Sequence, residues 1–170
     1  MPLHAGPAQA PFLRELVEDR VPPDVHLVVD LPTGFALWGM EPLPRPALVL
    51  TFNRHPLYLL DLFERRPAGV LLAPNALDTL SEALQLVARG HRVGSPPTLP
   101  FDAPTLRERQ VLRLLAQGYC ADAIAQALGV KRGTVYTYLQ NLREKLGAAS
   151  QHELVLAYLD ALAQPNTPKG

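Results

Sequence analysis

The chain has 170 residues, enough for one large domain or two small ones, and 48% of them are hydrophobic, which suffices for packed cores. Its single cysteine excludes an intramolecular disulfide, and no cysteine or histidine spacing suits zinc. The amino terminus lacks a signal-peptide pattern, and no apolar run reaches the roughly 18 residues of a membrane span. We therefore expect a cytoplasmic protein without membrane contact, metal or cofactor.

The charge is unevenly distributed, although sixteen basic residues balance sixteen acidic ones overall. Residues 1–100 contain eight basic and ten acidic side chains, whereas residues 104–147 contain seven basic and three acidic ones. A locally basic segment can displace the counterions of a phosphate backbone. The distribution therefore keeps a nucleic-acid partner open and places it in the last third of the chain.

Residues 1–92 alternate between apolar runs and helical patterns. The first 11 residues contain three prolines and little apolar pattern, which predicts a loose arm. The pattern then predicts strands over 25–31, 47–52 and 69–73, and a possible antiparallel hairpin strand over 34–39. It also predicts three helices: one over 12–20, one from Pro56, and one capped by Asn75 that runs to about 89. The residues expected to face inward are Leu13, Leu16 and Val17 on the first helix, Leu57, Leu60 and Phe63 on the second, and Leu77, Leu80, Leu84 and Val87 on the third. This alternation predicts an α/β domain over 12–92 with a mostly parallel sheet.

The proline-rich segment 93–103 has no periodicity and is predicted to be a linker. The domain that follows, 104–164, is predicted to be all-α with four short helices, and 165–170 form a tail. The predicted helices start at a Thr105–Glu108 capping box and run to about 117, then span 121–128, 132–146, and from a Ser150–Glu153 capping box to about 163. Glycines at the helix ends support these boundaries.

The second and third of these helices have the spacing of a helix-turn-helix. The turn Gly129–Lys131 is expected to place Val130 in the core, and the third helix has a predicted buried stripe. That stripe consists of Val135, Leu139, Leu142 and Leu146. The opposite face carries Arg132, Gly133, Tyr136, Thr137, Gln140 and Arg143. An α-helix with aromatic, hydroxyl, amide and guanidinium groups on one face fits the major groove of double-stranded DNA.

We assign two kinds of contact to this helix. Tyr136, Thr137 and Gln140 are the expected base-reading residues, since an amide can pair with adenine and a threonine methyl can touch thymine. The expected phosphate contacts lie toward the helix ends, and they are Lys131, Arg132, Thr134, Arg143 and Lys145. The arginines of the first helix, Arg107, Arg109 and Arg113, are expected to be ordinary solvated charges.

Residues 104–155 resemble the DNA-binding domain of the LuxR/NarL family of bacterial transcription regulators. The matching residues are Thr105, Arg107, Glu108, Val111, Leu112, Leu115, Ala116, Gly118, Ile124, Ala125, Leu128, Gly129, Val130, Thr134, Val135, Asn141, Lys145, Leu146, Gly147, Glu153 and Leu154. The resemblance implies a domain that binds DNA as a homodimer, in which the fourth helices of the two copies form the dimer contact. The dimer candidates on that helix are Leu154, Val155, Tyr158 and Leu162.

The chain departs from the family pattern at four positions. Lys131 replaces a capping serine before the recognition helix, and Tyr136 stands where a basic residue is common. Tyr138 replaces a frequent histidine, and Gln151 replaces an arginine near the start of the fourth helix. These changes lower the charge of the reading face, so they bear on affinity and target sequence and leave the fold unaffected.

The N-terminal region resembles the second half of a response-regulator receiver domain. The resemblance puts Asp30 at the phospho-acceptor position and Thr51 at the hydroxyl position. Phosphorylation there needs Mg²⁺ held by an acidic pair on an earlier strand, and the residues before Asp30 contain no such pair at a strand end. Ala73 stands where receivers have a lysine. We therefore predict a truncated, degenerate receiver that is not switched by aspartyl phosphorylation and serves dimerisation or another signal.

These observations favour a sequence-specific DNA-binding transcription regulator of the two-component type that acts as a homodimer. RNA polymerase or another regulator is a further possible partner. The alternative is an interaction module that heterodimerises with another regulator without reading DNA. Asp24 and Asp30 are an isolated carboxylate pair with nothing gathered around them, so we do not expect an enzyme.

Overall fold

The computed structural model describes residues 3–73 and 76–160, and the chain divides into two compact units, Met1–Pro97 and Thr98–Gly170. The first unit contains β1 (Leu3–His4), α1 (Ala10–Val17), β2 (His26–Asp30), β3 (Ala47–Thr51), α2 (Pro56–Glu64), β4 (Gly69–Leu72) and α3 (Ala76–Ala88). The second unit contains α4 (Leu106–Ala116), α5 (Ala121–Leu128), α6 (Arg132–Leu146) and α7 (Gln151–Tyr158). The predicted fold class, α/β followed by all-α, is confirmed.

The sheet of the first unit is parallel throughout, with the strand order β1-β2-β3-β4. In its register Asp30 lies opposite Thr51, and Thr51 lies opposite Leu72. β3 is buried at every position, as expected for a strand that helices cover on both faces. The strand predicted over 47–52 is therefore observed, as Ala47–Thr51.

Alternation along the strands divides the core into two layers. Leu27, Leu48 and Leu50 belong to a cluster with residues of α1 and α3, including Val17 and Leu84. The other face carries Asp30 and Thr51 and is covered by α2. On α2 the buried residues are Leu57, Tyr58, Asp61 and Leu62, whereas Leu60 and Phe63 are partly exposed, so two of the three residues predicted to face inward do not form the buried face.

Two predictions for the first forty residues are wrong. The segment predicted to be a loose arm contains β1, which pairs with β2 at the edge of the sheet and buries Leu3. The helix after it begins at Ala10, inside the predicted arm. The predicted hairpin strand 34–39 is a π-helical turn, Phe35–Gly39. Gly34 begins that turn at φ 98°, where a Cβ would collide with the Trp38 ring.

The first four residues beyond Val93 in the predicted linker 93–103, like Val93 itself, lie in the first unit, which extends to Pro97. Val93 pairs with Gly69 as a parallel bridge, and its carbonyl accepts a hydrogen bond from the Val70 N–H at 3.1 Å. Val93 therefore extends the sheet edge beside β4. The predicted cap Asn75 lies outside the described residues, as do the Leu77 side chain, the Leu16 side chain and the whole of 161–170.

The four helices of the second unit surround one apolar core. Its buried side chains are Val111, Leu112, Ile124, Val135, Leu139, Leu142, Leu154 and Tyr158. Thr105 and Glu108 form the predicted capping box, with each side chain bonded to the other residue's backbone N–H. At α7 the Ser150 side chain accepts from the Glu153 N–H, but the Glu153 carboxylate accepts from Ala149 rather than from Ser150.

Candidate nucleic-acid interface

The turn between α5 and α6 fixes the direction of α6. Gly129 ends α5 in the left-handed region at φ 65°, and the Val130 N–H donates to the Ala125 carbonyl at 3.0 Å. Lys131 then occupies the N-cap of α6 without a side-chain capping bond, as expected from its replacement of serine. The turn thus has helix-turn-helix geometry, with Val130 partly buried rather than fully in the core.

One face of α6 anchors it to the rest of the unit. Val135, Leu139 and Leu142 are buried, as predicted, and they pack in the interior between α4 and α5. Leu146, the fourth residue of the predicted stripe, is only partly buried because the helix ends there, at Gly147. A helix anchored over about two turns presents its opposite face rigidly.

The opposite face carries all three residues predicted to read bases. Tyr136 is 45% exposed, and Thr137 and Gln140 are also exposed. The Thr137 hydroxyl donates to the Gly133 carbonyl at 3.2 Å, and the Gln140 amide donates to the Glu144 carboxylate at 3.1 Å. These bonds are local and solvent-exposed, so both side chains keep hydrogen-bonding capacity for a ligand.

Arg132 and Tyr136 form a unit at the start of α6. The Arg132 guanidinium donates to the Tyr136 hydroxyl at 3.0 Å and lies 5.5 Å from the centre of the ring. It also pairs with Asp122 of α5 at 3.3 Å, and both side chains of this pair are mostly exposed. An exposed ion pair contributes little to stability. Phosphate can therefore replace Asp122 as the partner of this guanidinium at low cost.

The remaining predicted phosphate contacts divide into three that are accessible and one that is engaged elsewhere. Lys131 is exposed, Thr134 is partly exposed, and Arg143 is exposed while donating to the Ala149 carbonyl at 2.7 Å. Arg143 also lines an open groove of about 660 Å³ between α6 and the loop before α7, together with Tyr136 and Gln140. This groove makes the reading face continuous with the loop.

Lys145 has another role, one that the sequence did not indicate. Its ammonium group donates to Glu108 at 2.7 Å, and the Glu108 side chain is only 3% exposed. Burial alone raises the pKa of Glu108, but hydrogen bonds from Lys145 and Thr105 outweigh it and hold the pKa below its ordinary value. This bridge joins the start of α4 to the end of α6, so Lys145 serves the scaffold of the reading helix.

The predicted dimer residues of α7 also divide into residues that are buried within the chain and one that is partly exposed. Leu154 and Tyr158 are completely buried, because their i, i+4 spacing places both on the face that packs against α4 and α6. These two predictions are wrong: the side chains belong to the core of one chain. Val155 is partly exposed and remains a candidate, and Leu162 lies outside the described residues.

Asp30 is the centre of a second polar site, in the first unit. Its side chain is completely buried and accepts hydrogen bonds from the Ala36 N–H at 2.9 Å, the Thr51 hydroxyl at 2.8 Å and the Tyr58 hydroxyl at 2.6 Å. Both hydroxyls accept a backbone N–H, from Asn53 and Gly34 respectively, which directs their protons toward Asp30. Burial raises the pKa of Asp30 above its ordinary value, and these hydrogen bonds oppose the shift.

The surroundings of Asp30 match only part of a phosphorylation site. Thr51 contacts Asp30 as its predicted position implies, and the buried Ala73 directly follows the end of β4, the strand beside Thr51. Among the residues that the structure describes, no group of three or more acidic, histidine or cysteine side chains is placed to hold a metal ion. Tyr58, which sequence reasoning missed, donates a hydrogen bond to one of the Asp30 carboxylate oxygens.

Arg109 is another residue whose environment differs from the prediction. It was expected to be a solvated charge, but only 8% of it is exposed, and it has interactions within the chain. Arg107 is exposed, as expected, and donates to Gln110 at 3.1 Å. The capping box at Glu108 was visible in the sequence, whereas contacts between α4 and α6 join residues 37 apart and left no local signal.

The second unit, with its glycine-ended turn, anchored helix and exposed polar face, defines a helix-turn-helix DNA-binding domain. Residues 105–158 match the family model GerE, described as bacterial regulatory proteins of the luxR family. The chain is 31% identical over 134 residues to the transcriptional regulatory protein UhpA of Salmonella typhimurium, covering 75% of this chain and 68% of that protein. The chain belongs to the luxR family of bacterial regulatory proteins and is a DNA-binding transcription regulator of the LuxR/NarL type.

Two further likenesses extend over both units. The transcriptional regulatory protein DesR of Bacillus subtilis is 28% identical over 149 residues, covering 83% of this chain and 75% of that protein. A structure of RcsB from Salmonella enterica serovar Typhimurium bound to promoter rprA aligns with 94% of this chain and 98% of its own, at 18% identity and a TM-score of 0.45. Within the described part of the chain, no helix has the length and apolarity needed to cross a membrane.

Proposed function

We propose that the chain binds a specific DNA sequence as a homodimer, with α6 in the major groove, and that aspartyl phosphorylation does not control it. The observation that carries the proposal is the exposed face of α6, where Tyr136, Thr137 and Gln140 stand in a row flanked by Arg132 and Arg143. Successive turns of one helix place these side chains within reach of adjacent base pairs.

The basic side chains around this face are assigned to the phosphate backbone. Lys131 and Arg132 lie at the start of α6 and Arg143 near its end, so they bracket the reading residues. Thr134 adds a hydroxyl on the same turn as Lys131. Lys145 is left out of this set, because its ion pair with Glu108 holds it against α4.

The proposed dimer uses the face of α7 that its own core leaves uncovered. Leu154 and Tyr158 point inward, so the contact falls on Val155 and its partly exposed neighbours Leu156 and Leu159. Two copies joined through this face would place two recognition helices on a pseudo-palindromic site. Replacing Val155 by aspartate puts a charge into the contact without touching the core, and we expect it to yield a monomer by light scattering.

Phosphorylation-independence rests on the hydrogen bonds of Asp30. Both carboxylate oxygens accept from internal donors, and the side chain is completely buried. A phosphodonor would have to displace the Tyr58 hydroxyl and find Mg²⁺ without the acidic pair that normally holds it. A signal to the first unit must therefore enter elsewhere, through dimerisation or another ligand.

The experiment that tests the proposal is the selection of genomic DNA fragments by the purified chain. We expect the unmodified chain to enrich a short near-palindromic sequence, and a Tyr136→Ala/Gln140→Ala variant to enrich nothing. Tyr119→Ala is the matched control, since Tyr119 is 44% exposed, against 45% for Tyr136, and lies outside α6. Equal enrichment by the double variant would contradict the assignment of α6.

Salt dependence separates this proposal from the alternative of a heterodimerising antagonist that does not read DNA. Phosphate contacts release counterions, so DNA affinity should fall steeply between low and moderate salt. An apolar contact through α7 should change little over the same range. Failure to bind any DNA at low salt, together with capture of another regulator, would favour the antagonist.

A further inference from the structure

A basic groove opens at the amino-terminal edge of the sheet in the first unit. It has a volume of about 600 Å³ and is lined by the residues that precede β3 and β4 and by the end of α3. Three arginines and one histidine border it: Arg45, Arg66, Arg92 and His91. Asp30 and Thr51 stand at the carboxyl ends of their strands, so the groove lies at the opposite edge of the sheet.

The positive charge of this basic groove is not paired with any carboxylate that the structure describes. Among the lining residues, all of which lie in the described part of the chain, there is no carboxylate. Neither Arg45 nor Arg66 forms an ion pair with a described side chain, and Arg92 donates only to the Pro67 carbonyl, at 3.3 Å. Residues 1–100 are net acidic, so gathering three of their eight arginines in one groove is a local feature.

The backbone conformation of Arg66 suits glycine better than arginine, which indicates a function for the arginine side chain. Arg66 follows the end of α2 in the left-handed region, at φ 57°. Helix ends of this kind favour glycine, because a Cβ is strained in that conformation. The fold alone would be better served by glycine at this position, while the arginine places a guanidinium at the groove.

The floor of the basic groove is apolar. Ala47, Pro67 and Val87 are all buried beneath the rim of arginines. A guanidinium fork matches the oxygens of a phosphoryl group in geometry and charge, and the floor can take an apolar or aromatic body. The volume lies in the range of small-molecule sites. A bare DNA backbone would use the rim and leave the floor empty.

We propose that the basic groove binds a phosphorylated small molecule of nucleotide size, with its phosphoryl group on Arg45, Arg66 and Arg92 and its body on the apolar floor. This site goes beyond the proposed DNA binding and does not depend on it. It gives the first unit an input that is separate from Asp30.

Calorimetric titration of the full chain with ADP and with inorganic pyrophosphate tests the proposal. We expect saturable binding of both, with ADP tighter because its base and ribose cover the floor. Arg66→Gly should weaken ADP binding about tenfold or more, since it removes one charged hydrogen-bond donor. Its thermal midpoint should stay the same or rise, because glycine relieves the positive φ.

Two variants complete the design. Arg45→Gln should weaken ADP binding similarly, whereas Arg89→Ala, an exposed arginine beside the groove that does not line it, should leave binding unchanged. Absence of saturable binding of both probes at millimolar concentration would overturn the proposal, and so would unchanged ADP affinity in Arg66→Gly. Loss of operator affinity in Arg66→Gly without any ADP binding would instead assign the arginines to DNA. Operator binding by the unmodified chain, measured on the same samples, tests α6 separately.

Discussion

The two polar sites of this chain differ in where their hydrogen bonds go. Asp30 in the first unit is buried, and its carboxylate oxygens are occupied by donors from the same unit. The face of α6 in the second unit is exposed, and its bonds are short-range pairs on the helix surface or with Asp122. A polar group that is fully satisfied inside the fold contributes to stability, whereas one with a weak surface partner remains available to a ligand.

The largest effect expected from this contrast is on stability, at Asp30. Replacing Asp30 by alanine leaves the Thr51 and Tyr58 hydroxyls and the Ala36 N–H buried without their acceptor. We expect the first unit to lose about 3–5 kcal/mol of unfolding free energy, measured by urea denaturation. The matched exposed variant Gln140→Ala should stay within about 0.5 kcal/mol of the unmodified chain. Similar losses in both variants would contradict the contrast.

The next largest effect is on DNA affinity, at α6. Tyr136→Ala and Gln140→Ala should each weaken operator binding by about 10- to 100-fold if each removes one base contact. Thermal unfolding should be unchanged, since both side chains are exposed. Fluorescence anisotropy with a labelled operator measures the affinity, and Tyr119→Ala serves as the control. A thermal midpoint that falls with the affinity would mean that the residues act through the scaffold.

The contrast also explains how much could be predicted from the sequence. The bounds of α4, α5 and α6, the parallel sheet and the exposed side chains of Tyr136, Thr137 and Gln140 follow from apolar periodicity, glycine stops and capping residues, which are local signals. The partners of Lys145 and Asp30 are decided by tertiary packing, since Glu108 and Tyr58 lie 37 and 28 residues away. Lys145 and Arg143 therefore look alike in sequence, although Lys145 is tied to the buried Glu108 of α4 and Arg143 donates to the nearby Ala149 carbonyl.

The same limit accounts for the errors in the first unit and on α7. Residues 34–39 are apolar enough for a strand, but the Ala36 N–H bonds to the Asp30 carboxylate, and Gly34 permits the π-helical turn. On α7 the resemblance implied a dimer contact through Leu154, Val155, Tyr158 and Leu162. It did not distinguish the residues that pack in the chain's own core, Leu154 and Tyr158, from the partly exposed Val155.

A smaller effect is expected from pH at the edge of the sheet. His4 and His26 share one hydrogen bond, with 3.0 Å between their nitrogens. If both rings became positively charged, two cations would lie side by side. Burial, followed by the charge of His26, lowers the pKa of His4. A histidine with a lowered pKa in the folded state gives its full stability above its ordinary pKa of about 6.5 and loses it as the pH falls below that value.

Thermal unfolding of the first unit between pH 7.5 and 5.5 measures this effect. We expect the midpoint to fall with pH in the unmodified chain and to fall less in His4→Gln. His152→Gln, at an exposed position on α7, should retain the full pH dependence. The raised pKa of Asp30 acts with the opposite sign, since its protonation favours the folded state, so stability is lost as pH rises through that pKa. Because Asp30 contributes equally in both proteins, an equal pH dependence of the midpoint in the unmodified chain and in His4→Gln would contradict the role of the histidine pair.

The last prediction is that a phosphodonor does not change the mass of the chain, and it tests directly whether the buried Asp30 is inaccessible to phosphorylation. Incubation with acetyl phosphate and Mg²⁺ should leave the mass of the chain unaltered, because the Tyr58 and Thr51 hydroxyls hold Asp30 inside the fold. Tyr58→Phe removes one of these donors and serves as a probe: if the hydroxyl alone blocks the reaction, this variant should gain a phosphoryl group. If neither protein reacts, the missing acidic pair is the deeper obstacle. A stable Mg²⁺-dependent adduct on Asp30 of the unmodified chain would show that the buried carboxylate opens to solvent, and the contrast between the two units would then be one of degree.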